Sequence, residues 1–295
     1  MIIGIIGNGF VGKATKLLKN KEVTILCYDI NPDLCEPKGI DLNKMNICDI
    51  IFISVPTPMN RDGSVHLGIV EKVISDLKKN NFKNSIVIRS TVPPGTCDNL
   101  GTYFMPEFLT EKNFNEDFIN NELWVFGLLG NEDDEIFKKR ISNLINTSYK
   151  YNCIKSNKIE WMFNKEAEMV KYFRNTFLSV KISYCNEIYQ YCNSKNINYD
   201  RVKNIAALDK RIGLSHTSVP GHDGHFGFGG TCFPKDTNGL YQDMKKNGIK
   251  SYILKSAINR NLEVDRTEKD WENNIGRAVV DSNDKPSIEF SFKSI

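Results

Sequence analysis

The chain has 295 residues, of which 40% are apolar and 25% charged, with a formal net charge of +3. That length exceeds one small domain and points to two, and the apolar-to-charged balance is that of an ordinary soluble globular protein. The charge is too slight to imply a nucleic-acid partner, and no run reaches the roughly 18 apolar residues of a membrane helix.

The first predicted element is the apolar run from Ile2 to Ile6. It is broken by Gly4, has no basic segment before it and stops at Gly7, so it reads as a strand rather than a secretory signal, and a cytoplasmic location is expected. Gly7-Asn8-Gly9-Phe10-Val11-Gly12 follows, then a pattern of helical period, then a second strand, VTILCYD, ending in Asp29. G-x-G-x-x-G carries little alone, but between a strand and a helix, with an acidic residue about 20 positions on, it predicts a dinucleotide-binding unit. Gly7 allows the tight turn, Gly9 lets the backbone approach a pyrophosphate, and Gly12 lets helix and strand pack closely. The helix N-terminus faces the phosphates. Asp29 is expected to accept from the adenosine ribose and to repel a 2′-phosphate, which favours NAD over NADP.

Further strands are expected at DIIFISVP, ending at Val55, and at SIVIRSTVP, ending near Thr91. Both run into proline turns at the edge where open α/β sheets bind ligands, so Thr57 and Thr91 read either as cofactor-edge residues or as plain turn hydroxyls.

From about Trp161 to Cys192 there is no Gly or Pro, and Met169, Phe173, Phe177, Val180, Tyr184, Ile188 and Tyr191 recur in steps of three and four. This spacing predicts one helix of about thirty residues with an apolar stripe, a spine between domains, a dimer contact, or both. Lys171 and Asn175 lie one turn apart on another face of it, as a solvated pair or as part of a site.

GFGGTCFPKD comes next, at 227–236. Gly227, Gly229 and Gly230 clear side chains from the backbone before Cys232, and Pro234 suits the start of a helix running to Lys246 and stopping at Gly248. Cys232 then sits before a helix N-terminus and near Lys235, two features that favour thiolate over thiol. It reads as a nucleophile, or as one more buried sulfur with Asp236 interacting with the helix dipole. The eight cysteines (27, 35, 48, 97, 153, 185, 192 and 232) include no C-x-x-C pair and no histidine at metal-ligand spacing. Neither a metal site nor a disulfide framework is expected, and most should be buried small hydrophobes.

With these residues in hand, the chain resembles the UDP-glucose/GDP-mannose dehydrogenase family from residue 1 to about 260. GNGFVG, SVPTP, STVPPGT, MPEFLTE, AEMVKYFRNTFLSVKISYCNEI and above all PGHDGHFGFGGTCFPKD carry the resemblance. It implies a Rossmann-type doubly wound α/β domain over 1–155, a helical dimerisation and catalytic-cysteine domain over 156–260, and a short extension, 261–295, in place of the family's nucleotide-holding third domain. The implied activity is NAD-dependent, four-electron oxidation of a nucleotide sugar, UDP-glucose first among candidates, through a cysteine thiohemiacetal and thioester. Cys232 would be the nucleophile, Lys171 and Asn175 would lie beside the reacting oxygen, and Asp236 and Glu107 would assist the water step. Thr91 would contact water or cofactor, and Thr57, Glu111 and Lys235 would join Phe10, Val11 and the glycines around NAD. Phe108, Leu109, Phe228 and Gly229 would line the sugar site, and Arg211 would reach the substrate of a neighbouring subunit in a homodimer. Two other readings remain: a two-electron hydroxyacid dehydrogenase, which has no need of Cys232, and a non-catalytic NAD-binding dimer module.

Overall fold

The computed structural model describes residues 1–281. The chain forms two compact units, residues 1–57 with 67–171, and residues 58–66 with 172 onward.

The first unit holds β1 (Ile2–Ile6), α1 (Phe10–Thr15), β2 (Thr24–Tyr28), β3 (Ile50–Ile53), α2 (Gly68–Lys79), β4 (Ser85–Ile88), α3 (Thr96–Leu100), β5 (Tyr103–Phe104), α4 (Phe114–Ile119), β6 (Trp124–Leu128), α5 (Asp133–Lys150) and β7 (Ile159–Phe163). The strands form one sheet in the order β2-β1-β3-β4-β5-β6-β7, parallel throughout except between β5 and β6. Every residue of β3 and β6 is buried, as expected for strands covered on both faces. Ile3, Ile5, Phe52 and Phe126 pack on one face with Phe137, Ile141 and Leu144 of α5. Ile51, Ile53, Ile86 and Ile88 pack on the other with Val70, Ile74 and Leu77 of α2. This is the doubly wound arrangement the sequence predicts. Strand order reverses between β1 and β3, so a crevice opens beyond their C-terminal ends. β3 and β4 stop at Ile53 and Ile88, two and three residues before the expected ends at Val55 and Thr91. The residues before Pro56 and Pro93 leave the ladder, because proline has no N–H to continue it.

Helix α6 (Asn164–Ser194) enters the second unit at Tyr172. Glu166 accepts from the backbone N–H of Phe163 at 2.8 Å, a carboxylate reaching back over the helix start. The apolar stripe has the expected period, but Phe173, Phe177, Tyr184 and Tyr191 are 57–65% exposed. The buried face instead carries Thr176, Ser179, Ser183 and Asn186. Helices α7 (Tyr199–Ala206), α8 (Phe233–Lys246) and α9 (Tyr252–Arg260) complete this unit. Pro234 occupies the second position of α8 rather than the first, and Gly248, at φ +73°, follows its end. Beyond α9, Ala278 O accepts from Met59 N (2.8 Å) and Val280 N donates to Met59 O (3.0 Å), and this stretch adds two isolated bridges, Met59–Val279 and Ile275–Val279. Residues 282–295 of the expected extension lie outside the described residues.

Candidate active site

In the first unit the C-terminal edge of the sheet gathers the residues expected to hold a cofactor. Gly7 adopts φ +90°, and a Cβ there would meet Ser54 O at 2.7 Å. A Cβ at Gly12 would stand 2.1 Å from Gly7 O, whereas at Gly9 nothing lies within 4 Å. The loop is thus closed on the sheet side and open at the glycine where a pyrophosphate would approach. Asp29, just past β2, accepts from Asn8 N at 2.7 Å and Asn31 N at 2.9 Å, which places its carboxylate beside the glycine loop. Phe10 and Val11 open α1, and Phe10 packs near Phe114, with ring centroids 6.4 Å apart. Thr57 and Thr91 are both buried, and Thr57 Oγ1 donates to Thr91 O at 2.9 Å. The spacing and charge of these groups fit the adenosine diphosphate of a nicotinamide dinucleotide.

Arg89, in the run IRSTVP, was not singled out from sequence. Its buried guanidinium donates to Thr15 Oγ1 and lies over the Phe118 ring, tying β4 to the helix that follows the glycine loop. Burial pushes it down to about 10, and the charge of Glu107 works against that shift. An arginine inside an apolar strand run is the signal that marks it.

Glu107 and Lys171 form a buried ion pair in the same unit, and Glu107 also accepts from Leu109 N at 2.9 Å. Phe108 is half-buried between them in sequence, and Glu111 is exposed at the turn that follows. Glu168, one turn before Lys171 on α6, is fully buried; its carboxylate accepts from Cys97 N at 2.8 Å and from Gly95 N. It anchors the turn after Thr91 to the helix that carries Lys171. Nothing in the local pattern AEMVK distinguishes it, because its partners are main-chain N–H groups some seventy residues earlier.

In the second unit Cys232 immediately precedes α8 at its N-terminus, half-buried, with Thr231 Oγ1 3.7 Å from its Sγ. Asp236 follows in the first turn, 1% exposed. Its two oxygens are taken by Lys235 Nζ at 2.5 Å and Asn175 Nδ2 at 2.6 Å. Thr237 Oγ1 donates to Ser179 Oγ at 2.8 Å, so α6 and α8 meet along a polar seam. That seam accounts for the buried polar face of α6, while the aromatic rings of the stripe, Phe173, Phe177, Tyr184 and Tyr191, are left exposed. The ammonium of Lys235, expected to stand near the sulfur, is paired with Asp236. The clearing at Gly227 and Gly229 is filled by the chain itself: a Cβ would meet Asn261 Oδ1 at 2.3 Å and Arg266 Nη2 at 2.2 Å respectively, while Gly230 faces open space. Phe228 is buried, and both its backbone groups are bound by the Asn261 amide. Arg211 is 90% exposed and doubly bonded to Asp209, on a loop whose carbonyls at Ile212, Gly213 and Ser215 all accept from Lys181. No disulfide joins the eight cysteines, and six of them are buried.

The chain matches the models of two parts of one family, the NAD binding domain of the UDP-glucose/GDP-mannose dehydrogenase family over residues 39–145 and its central domain over 165–263. It is 30% identical over 294 residues to a UDP-glucose 6-dehydrogenase of Rickettsia prowazekii, covering 88% of this chain and 64% of that one. It is 33% identical over 229 residues to the enzyme of the same name from Rickettsia bellii, covering 73% and 49%. Its fold is similar to that of a UDP-glucose dehydrogenase from Pyrobaculum islandicum, with a TM-score of 0.74, 27% identity, and 88% and 67% of the two chains covered. The chain thus spans about two thirds or less of the length of these relatives. Through its NAD-binding and central parts, the chain belongs to the UDP-glucose/GDP-mannose dehydrogenase family.

Proposed function

We propose that the protein oxidises the C6 alcohol of a nucleotide sugar, UDP-glucose first among candidates, to the carboxylate in two NAD-dependent steps. The observation that carries this reading is Cys232 at the start of α8, followed in the first helical turn by an Asp236 already held by Lys235 and Asn175. A two-electron alcohol oxidation has no use for such a sulfur, whereas an acid-forming oxidation needs a nucleophile that can hold the aldehyde.

NAD⁺, bound by Gly7, Gly9, Phe10, Val11, Gly12, Asp29 and the Thr57–Thr91 edge, supplies the hydride acceptor for both steps. Lys171 and Asn175 stabilise the charge that develops on the C6 oxygen as its proton leaves. The Cys232 thiolate adds to the aldehyde carbon, giving a thiohemiacetal whose loss of a second hydride leaves a thioester. Asp236 and Glu107 orient water for attack on that thioester, which releases the carboxylate and returns the thiol. Glu111 and Lys235 belong to the nicotinamide side, and Phe108, Leu109, Phe228 and Gly229 to the sugar side. The domains follow the same division, with 1–155 for NAD, 156–260 for the cysteine chemistry and 261–295 as an extension. A second copy of the chain is the proposed partner of the exposed α6 stripe, with Arg211 reaching the neighbour's substrate.

Cys232→Ser tests the chemistry. The expected variant forms no net acid from the nucleotide sugar, with turnover reduced by at least about 10³-fold. Full turnover by the variant would overturn the cysteine mechanism, and turnover that stops at the two-electron product with every substrate would move the protein to the hydroxyacid dehydrogenases.

A further inference from the structure

Arg266 lies past the last residue matched by the family's central-domain model, and it is 2% exposed. Its guanidinium is directed at the loop that leads to Cys232. Nη2 donates to Asp223 Oδ2 at 2.6 Å, Nη1 to Phe226 O at 3.1 Å and Nε to Asp270 Oδ1 at 2.8 Å, with Glu268 Oε1 at 3.6 Å. The second oxygen of Asp270 accepts from Gly230 N at 3.2 Å, and the second oxygen of Asp223 from His225 N at 3.1 Å. Gly229 has no Cβ at the point where the guanidinium would otherwise collide with it. One side chain is therefore bound, directly or through a carboxylate, at residues 223, 225, 226 and 230.

We propose that Arg266, with Asp223 and Asp270, is a positioning clasp that holds residues 223–230 in the one conformation that presents Cys232 at the start of α8. The clasp rests on the reading of Cys232 as nucleophile. Three observations carry it. The guanidinium is too buried to meet a ligand, so its effect passes through the loop. The guanidinium is buried while its carboxylate partners stay a third or more exposed, so the ion pairs add little stability compared with apolar packing but specify geometry, since each N–H donates only to a correctly placed oxygen. The planar fork reaches three acceptors in fixed directions, which a lysine cannot reproduce. Asn261 secures the middle of the same loop through Phe228, so the mobile length before the cysteine is reduced to Thr231.

The test compares the full chain with Arg266→Ala and Arg266→Lys, by hydrogen exchange and by NADH formation from a nucleotide-sugar 6-aldehyde. In Arg266→Ala, exchange over 223–230 should rise at least about tenfold while that of α8 and α9 stays within about twofold. The kcat of aldehyde oxidation should fall at least about tenfold, with KM for NAD⁺ unchanged. Added guanidinium ion should restore both, and Arg266→Lys should restore neither. Exchange unchanged over the loop, acceleration spread evenly over the unit, or an opened loop with unchanged kcat each overturns the clasp. If Arg266→Ala does not fold, Asp270→Asn carries the same expectations at about threefold. A wild-type chain inactive on every nucleotide sugar counts against the proposed reaction. The exchange pattern then decides the clasp alone, with local acceleration reversed by guanidinium upholding it and any other pattern overturning it.

Discussion

The carboxyl of Glu168 is fully buried, and burial pushes it up from an ordinary 4.5 to about 7, against the hydrogen bonds from Cys97 and Gly95 that pull it down. A folded chain that keeps a proton the unfolded chain has lost is destabilised as pH rises. This contribution to stability is therefore fully present below about pH 4.5 and lost by the time pH passes about 7, a span on the order of 3 kcal/mol. In Glu168→Gln that slope should be absent. Urea unfolding of both proteins from pH 5 to pH 8 measures it, and equal pH dependence would show that Glu168 titrates normally. Glu107 and Asp236 differ from Glu168 in having side-chain partners: Lys171 for Glu107, and Lys235 and Asn175 for Asp236.

At the scale of elements, the strand–glycine loop–helix unit rests on main-chain contacts that no side chain can enter. Gly12→Ala would force a methyl against the carbonyl of Gly7, at an ideal distance of 2.1 Å, and backbone cannot yield as a flexible side chain can. A loss of about 1–3 kcal/mol in stability and at least a tenfold weaker affinity for NAD⁺ are expected. Thermal unfolding and calorimetric titration would show it, and wild-type values in both would contradict the packing role. This element was readable in the sequence because period and spacing are local properties. So were the long helix, α8 and the cysteine that precedes it. Features set by distant partners were not. Strand ends shifted where Pro56 and Pro93 interrupt the ladder, and the apolar stripe of α6 proved exposed because Asn175 and Ser179 meet the residues of α8 instead. The Arg266 cluster joins residues about forty positions apart, and each of its members reads alone as an ordinary surface charge.

At the scale of the molecule, the first unit accounts for the cofactor and the second for the sulfur. Among the described residues no helix is long and apolar enough to cross a membrane, and α6 carries a row of exposed rings. Phe173 and Phe177 stack with centroids 6.4 Å apart, and Tyr184 and Tyr191 continue the row. Such a row is suited to a second copy of the same helix. Phe177→Asp should convert a dimer to a monomer in sedimentation equilibrium, and a wild-type chain already monomeric at micromolar concentration would remove the dimer. The proposed chemistry is tested most directly by counting NADH formed per sugar consumed, with NAD⁺ and a panel of UDP- and GDP-sugars. Two NADH per sugar, with a carboxylate product, is the expected result. One NADH with an aldehyde or ketone product would contradict the cysteine mechanism, and none with any nucleotide sugar would leave the chain a dinucleotide-binding protein without that reaction.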